Sequence, residues 1–122
     1  MMEIATMKGL LIRTPWIDYI LDGKKTWEIR GRNTTIRGRI ALIRSQSGLV
    51  VGEADLVDCI PLDLSEYANT SDKHMVPKTE IDCLPYPSTY TWVLTNSKRY
   101  PEPIEYKHPS GAVIWVNLDN CL

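Results

Sequence analysis

Two runs of strand-forming residues, 38–44 and 49–60, are separated only by Ser45-Gln46-Ser47-Gly48. A short polar turn ending in glycine sends the second run back along the first, so this spacing reads as a hairpin. The middle of the chain is thereby committed to an antiparallel sheet. Residues 8–13 read as a short buried strand, and residues 25–30 alternate well enough for another. Residues 90–94, 104–106 and 112–118 give three more, with 97–103 as a loop and His108-Pro109-Ser110-Gly111 as a turn. Pro61 stops the second hairpin strand.

Helical signals are few and short. Thr14-Pro15 can open a helix, with Thr as cap and Pro at the first position. Trp16, Ile17, Ile20 and Leu21 then form one apolar face, and Gly23 suits a left-handed stop. Asp63 and Glu66 make a capping box for a second helix over 64–68. Residues 69–88 are polar, hold three prolines and have no period. Connections of that length are commonly functional or mobile. No alternation of strands with long helices points to a doubly wound sheet. The expected fold is α+β: a small closed or half-closed barrel of about five to seven mostly antiparallel strands, with one or two short helices at its rim.

A chain of 122 residues, 43% apolar and 24% charged, suits one folded domain. The expected division is a loose leader over 1–7, one domain over 8–118 and a tail over 119–122. The formal net charge of −1 excludes a global basic field that would gather nucleic acid nonspecifically. Charge is nevertheless segregated. Residues 24–44 hold seven Lys or Arg against Glu28 alone, and residues 51–82 hold eight acids against Lys73 and Lys78. Cys59, Cys83 and Cys121 form neither a disulfide framework nor a CxxC motif, and Cys59 and Cys83 read as small core hydrophobes. His74 and His108 lack the cysteine neighbours of a zinc site, so no metal or cofactor is expected. No run approaches the ~20 apolar residues of a membrane span, and no signal peptide opens the chain. The expected location is the cytoplasm, with no membrane partner.

The chemistry concentrates in Gly23-x-Lys25-x-x-Glu28-x-Arg30. On a strand, Glu28 and Arg30 share a face while Lys25 points away. The three converge only if Lys25 lies in the preceding loop or beside a bulge. The alternative is a solvated strand with an exposed ion pair, which contributes little.

Pro15-Trp16, Ile20, Gly23, Lys25, Glu28 and Arg30, followed by the strand over 38–43, resemble the ASCH domain (activating signal cointegrator-1 homology), whose signature is G-x-K-x-x-E-x-R. The resemblance continues through Val51-Gly52-Glu53-Ala54, Tyr90-Thr91-Trp92 and residues 108–115, so it spans residues 8 to 118. It implies a fold related to the PUA domain, with an open cleft that binds RNA or nucleobases. Some members resemble amidohydrolases of N4-acetylcytidine that use a Lys, a Thr and a Glu; others are regarded as single-strand ribonucleases. The lysine falls on Lys25, but Glu28 stands where the threonine would be, and Thr26 is off register. The glutamate falls near Asp72-Lys73, with Glu66 and Glu80 as neighbours.

The resulting expectation is an RNA- or nucleoside-binding protein acting as a hydrolase on single-stranded RNA or a modified nucleoside. Lys25 and Glu28 would be catalytic, Glu28 as the proton shuttle. Arg30 and Arg32 would meet phosphate, with Trp16, Thr26, Tyr90 and Trp92 around the substrate. Trp27 and Trp115 read as core, with Trp92 open to either role, and His108 as a turn residue. The alternatives are a non-catalytic RNA or nucleobase reader and a protein-interaction module.

Overall fold

β1 (Lys8–Ile12) and β3 (Gly38–Arg44) are almost continuous apolar runs, and the structure, a computed structural model describing residues 4–122, gives the reason. Both faces of these strands are covered. Leu10, Ile12, Ile40 and Leu42 point into one core cluster, with Trp92 and Leu94. The alternate residues Leu11, Ala41 and Ile43 point into another, with Met7, Val50 and Val116. β1 and β3 pair in parallel, and buried parallel strands read this way.

Three further strands pair around them: β2 (Trp27–Arg30), β4 (Leu49–Pro61) and β5 (Tyr90–Glu105). With β6 (Trp115–Asn117) they make one six-stranded sheet among the described residues, in the order β2-β5-β4-β3-β1-β6. The other ladders are antiparallel, as the hairpin requires.

The expected barrel is not closed. β2 pairs only with β5 and β6 only with β1, so both remain edges. The β4–β5 ladder carries three register shifts, and such bulges bend and twist a sheet. The curl brings the two edges close without a ladder between them. Side chains span the gap instead: Trp92 of β5 stacks on Trp115 of β6 at 5.7 Å, and Arg30 Nη2 of β2 donates to the Leu11 carbonyl of β1 at 2.8 Å.

α1 (Trp16–Leu21) lies against the sheet through Ile17, Ile20 and Leu21. A six-residue helix does not persist alone. Each buried apolar side chain contributes roughly 2 kcal/mol toward holding it there. Its seat is Gly52, where a Cβ would stand 2.4 Å from both Leu21 Cδ2 and the Lys98 carbonyl. Gly23 takes φ +77°, the left-handed stop the sequence suggests. Thr14 does not cap the helix; its hydroxyl accepts from Arg44 Nη1. α2 (Leu64–Ala68) has the expected capping box between Asp63 and Glu66. α3 (Ser71–His74) and three 3-10 turns were not foreseen, being too short to show a period.

Other expectations shift. β5 is one bulged strand, not strand, loop and strand, because Pro101 and Pro103 fall at a register shift between Arg99 and Ile104, where the β4–β5 ladder needs no pair from them. Of the expected leader, residues 1–3 lie outside the described residues; Ile4–Thr6 form a 3-10 turn, and Met7 is buried because Ile4 and Met7 feed the second core cluster. The tail is also packed: Cys121 is buried and its carbonyl accepts from the Lys107 amide at 2.6 Å. Cys59 packs against the core, but Cys83 is exposed in the long connection.

Candidate functional site

The curled sheet leaves a cleft of about 1020 Å3 where a barrel would have closed. Leu11, Arg13 and Trp16 line it from β1 and α1, and Glu28, Ile29 and Arg30 from β2. Tyr67 of α2, then Val76, Glu80, Pro85 and Tyr86 of the long connection, form the opposite wall. Tyr106, His108 and Val113 complete the mouth.

Lys25 lies in the loop before β2, the placement that convergence requires. The Lys24 and Lys25 amides both donate to the Tyr19 carbonyl, which turns the chain sharply after Gly23. The Lys25 side chain drops inward and is only 3% exposed. Nζ donates to the carbonyls of Trp27 and His74, each at 2.6 Å, and stands 3.5 Å from Glu28 Oε1. An ammonium has three protons, and here it meets three acceptors. The Trp16 ring lies 5.2 Å away. Burial pushes the Lys25 pKa below its ordinary value, Glu28 works against that shift, and Arg30 reinforces it.

Glu28 is 6% exposed. Its Oε2 accepts from Arg30 Nε at 3.0 Å and Nη2 at 2.9 Å. The guanidinium lies 5.4 Å over the Trp92 ring. Lys25, Glu28 and Arg30 thus form one ion-paired row on the cleft floor, with Lys25 and Glu28 buried and Arg30 half-buried, not a solvated ion pair.

The other expected residues divide. Trp16 lines the cleft. Thr26 does not; its backbone is spent on Lys73 O and Leu94 N, at 3.0 and 2.8 Å. Arg32 is exposed and lines a smaller adjoining recess. Tyr90 sits opposite Arg30 in the β2–β5 ladder and packs on the core, away from the cleft. Trp92 is 1% exposed, and its indole N–H donates to the Arg32 carbonyl at 3.0 Å. Trp27 and Trp115 are half-buried, and Lys73 Nζ lies 4.8 Å over the Trp27 ring. His108 is a braced turn residue at the cleft mouth, bonded to Tyr106 Oη at 2.8 Å and Ala112 O at 2.9 Å. Of the three acidic candidates, only Glu80 lines the cleft; Glu66 is used in the α2 capping box, and Asp72 is exposed on α3.

Sequence reasoning missed Tyr67, Tyr86 and His74. His74 is fully buried: Nδ1 accepts from the Val76 amide at 3.0 Å and Nε2 faces the Tyr67 carbonyl at 2.7 Å. These partners fix a neutral ring protonated at Nε2. Burial lowers its pKa, the Tyr67 bond opposes that, and Lys25 adds to it. The imidazole stacks on the Tyr67 ring at 4.7 Å. The available signal was the proline-rich connection itself. Among the described residues, no cluster of His, Cys, Asp or Glu could hold a metal ion, and no helix is long and apolar enough to cross a membrane.

The sequence profile of the ASCH domain matches residues 10–110. Among curated proteins none matches the chain. Among solved structures, the crystal structure of ASCH from Zymomonas mobilis is similar, with a TM-score of 0.68 and 17% identity, covering 83% of this chain and 74% of that one. A tyrosine-to-phenylalanine mutant of the same protein gives a TM-score of 0.68 at 17% identity, covering 82% of this chain and 76% of that one. A serine-to-alanine mutant gives 0.67 at 16%, covering 85% and 77%. At such identity the likeness is one of fold.

Proposed function

This chain belongs to the ASCH domain family, and on that premise we propose that its cleft binds single-stranded RNA by taking in one unstacked base. One observation carries this reading: a buried carboxylate, Glu28, on the floor of a cleft walled by Trp16 and Tyr86. Single-stranded RNA is read by stacking a splayed base on aromatic side chains and bonding its polar edge. The cavity is ample for a base and its ribose, since small-molecule sites span about 300–1,000 Å3. Arg30 holds Oε2 and Lys25 stands beside Oε1, which leaves an Oε1 lone pair to accept from an exocyclic amine.

The reading predicts a preference. Strands whose bases carry an exocyclic amine (oligo-C or oligo-A) bind better than oligo-U, and Glu28→Gln narrows the difference. Fluorescence anisotropy on short labelled strands measures both. Equal binding of oligo-U and oligo-C to wild type would overturn the assignment of Glu28.

A hydrolytic reading has a specific observation in its favour. Lys25, with its pKa lowered by burial, stands beside a carboxylate at the cleft floor. Attack on a strand, or on the acetyl group of N4-acetylcytidine, would need Nζ to leave at least one of its three acceptors. Strand length and nucleoside identity after long incubation decide this. Unchanged RNA and unchanged N4-acetylcytidine leave the binding reading alone.

A further inference from the structure

Beyond the cleft lies a second recess of about 330 Å3, lined by Arg30, Gly31, Arg32, Tyr86, Trp92 and Ile114. It shares Arg30 and Tyr86 with the cleft, so the two adjoin. Its lining differs in kind. The cleft holds Glu28 and Glu80 beside Arg13, Lys25 and Arg30, whereas the recess holds two arginines and no carboxylate.

Some of its donors remain unspent. Arg30 uses Nε and Nη2 on Glu28 and Leu11 O, which leaves Nη1 without a partner among the described residues. The Arg32 side chain is exposed and also lacks a partner among them. Its backbone is fixed, because its carbonyl accepts from the Trp92 indole. The turn that presents Arg32 is therefore anchored while its guanidinium is free.

Tyr86 divides the two spaces. Its ring lies against Gly31, where a Cβ would stand 2.9 Å from Tyr86 Cδ1 and 3.0 Å from Cγ. A residue larger than glycine at 31 would push this ring off the strand, so glycine is required for space, not for backbone conformation.

We infer that the recess is a phosphate subsite, which takes the phosphate attached to the nucleoside whose base occupies the cleft. The inference rests on the base-binding reading and adds to it a second contact: the phosphate of the bound nucleotide has its own seat, which a free nucleoside leaves unused. The free Arg32 fork can grip two phosphate oxygens in the bidentate geometry a guanidinium provides, and Arg30 Nη1 adds donors on the same recess.

Calorimetry tests this with four nucleosides, their 3′- and 5′-monophosphates and the matching dinucleotides, against wild type, Arg32→Ala and Arg32→Lys. Wild type is expected to bind a phosphorylated ligand at least about tenfold more tightly than its nucleoside, the scale of one charge-assisted contact. Arg32→Ala should bring that ratio to within about twofold while leaving nucleoside affinity unchanged, with Arg32→Lys in between. The two monophosphate series against the dinucleotides separate a terminal phosphate from a chain. If nucleosides bind wild type but phosphate adds nothing, or Arg32→Ala weakens both ligand types equally, the subsite is overturned and the base cleft stands. If nothing binds wild type, the cleft reading fails and the subsite falls with it.

Discussion

Lys25 is held more tightly than a reactive amine needs to be. Two of its three acceptors are backbone carbonyls, and one of them, His74 O, belongs to α3, 49 residues along the chain. The lysine is therefore a strut joining β2 to the connection as well as a cleft residue. Removing one member of a buried ion pair leaves its partners desolvated and unpaired, at a typical cost of about 3–5 kcal/mol. Lys25→Met keeps the stem and deletes the charge, so urea denaturation should show a loss of about 3 kcal/mol. A loss below about 1 kcal/mol would mean the strut is not needed. Any activity assay of a Lys25 variant must be read beside that measurement. This residue also marks the limit of reading the sequence. Strand parity left open whether Lys25 joins Glu28 and Arg30, and only their grouping behind Gly23 in one motif was legible. The two carbonyl partners of Lys25 were not, because a backbone acceptor leaves no mark on residue type. The placement of Trp92 was equally open: an aromatic in a strand looks the same whether its ring faces a cleft or stacks on Trp115 inside the curl.

At the scale of elements, the hairpin of β3 and β4, the short α1 and the capped α2 follow from turn and periodicity signals. The join between β4 and β5 does not, since a bulged ladder has no fixed period and prolines normally argue against a strand. The wall made by residues 74–86 was legible only as an aperiodic connection, yet it is locked by one imidazole. His74 is neutral and buried in the fold, while in the unfolded chain it titrates near 6.5. Its folded pKa is lowered, so below 6.5 the unfolded chain binds the extra proton first. Stability is then full above pH 6.5 and falls as pH drops below it. Denaturation of wild type and His74→Gln at each pH from about 5 to 7.5 isolates the effect. The wild type should lose ground to the variant as pH falls, and a constant difference would exclude the imidazole as the sensitive group. The seat of α1 offers a second check. Gly52→Ala places a methyl against the Lys98 carbonyl, which cannot rotate away, so a loss of about 1–3 kcal/mol is expected from thermal melts. An unchanged melting temperature would show that both Leu21 and the β4–β5 ladder make room for the methyl without cost.

For the molecule as a whole, the fold cancels part of the segregated charge of the sequence. The hairpin lays the basic stretch of β3 directly against the acidic stretch of β4. Arg39 pairs with Glu53 at 2.9 Å and Asp55 at 3.2 Å, and Tyr100 donates to the other Glu53 oxygen at 2.6 Å. Arg44 takes Asp18 at 2.8 Å, and Arg99 takes Asp22 at 3.0 Å. A charge run read along the chain suggests a basic face; hydrogen-bond register turns it into neutral rows. The basic side chains left without a partner include Arg13 at the cleft and Arg32 at the recess, and the net charge stays at −1. RNA binding should then depend on salt through the few contacts at the cleft and not through a long-range field. Each phosphate neutralised on a single strand contributes about −0.7 to the slope of log K against log salt. One or two contacts give a slope of about −0.7 to −1.5, and Arg32→Ala should make it shallower by about 0.7. Binding isotherms of a short single strand across a salt series supply both slopes. A slope steeper than about −3 would require more phosphate contacts than the cleft and recess supply, and a slope of zero would remove phosphate from the ligand altogether.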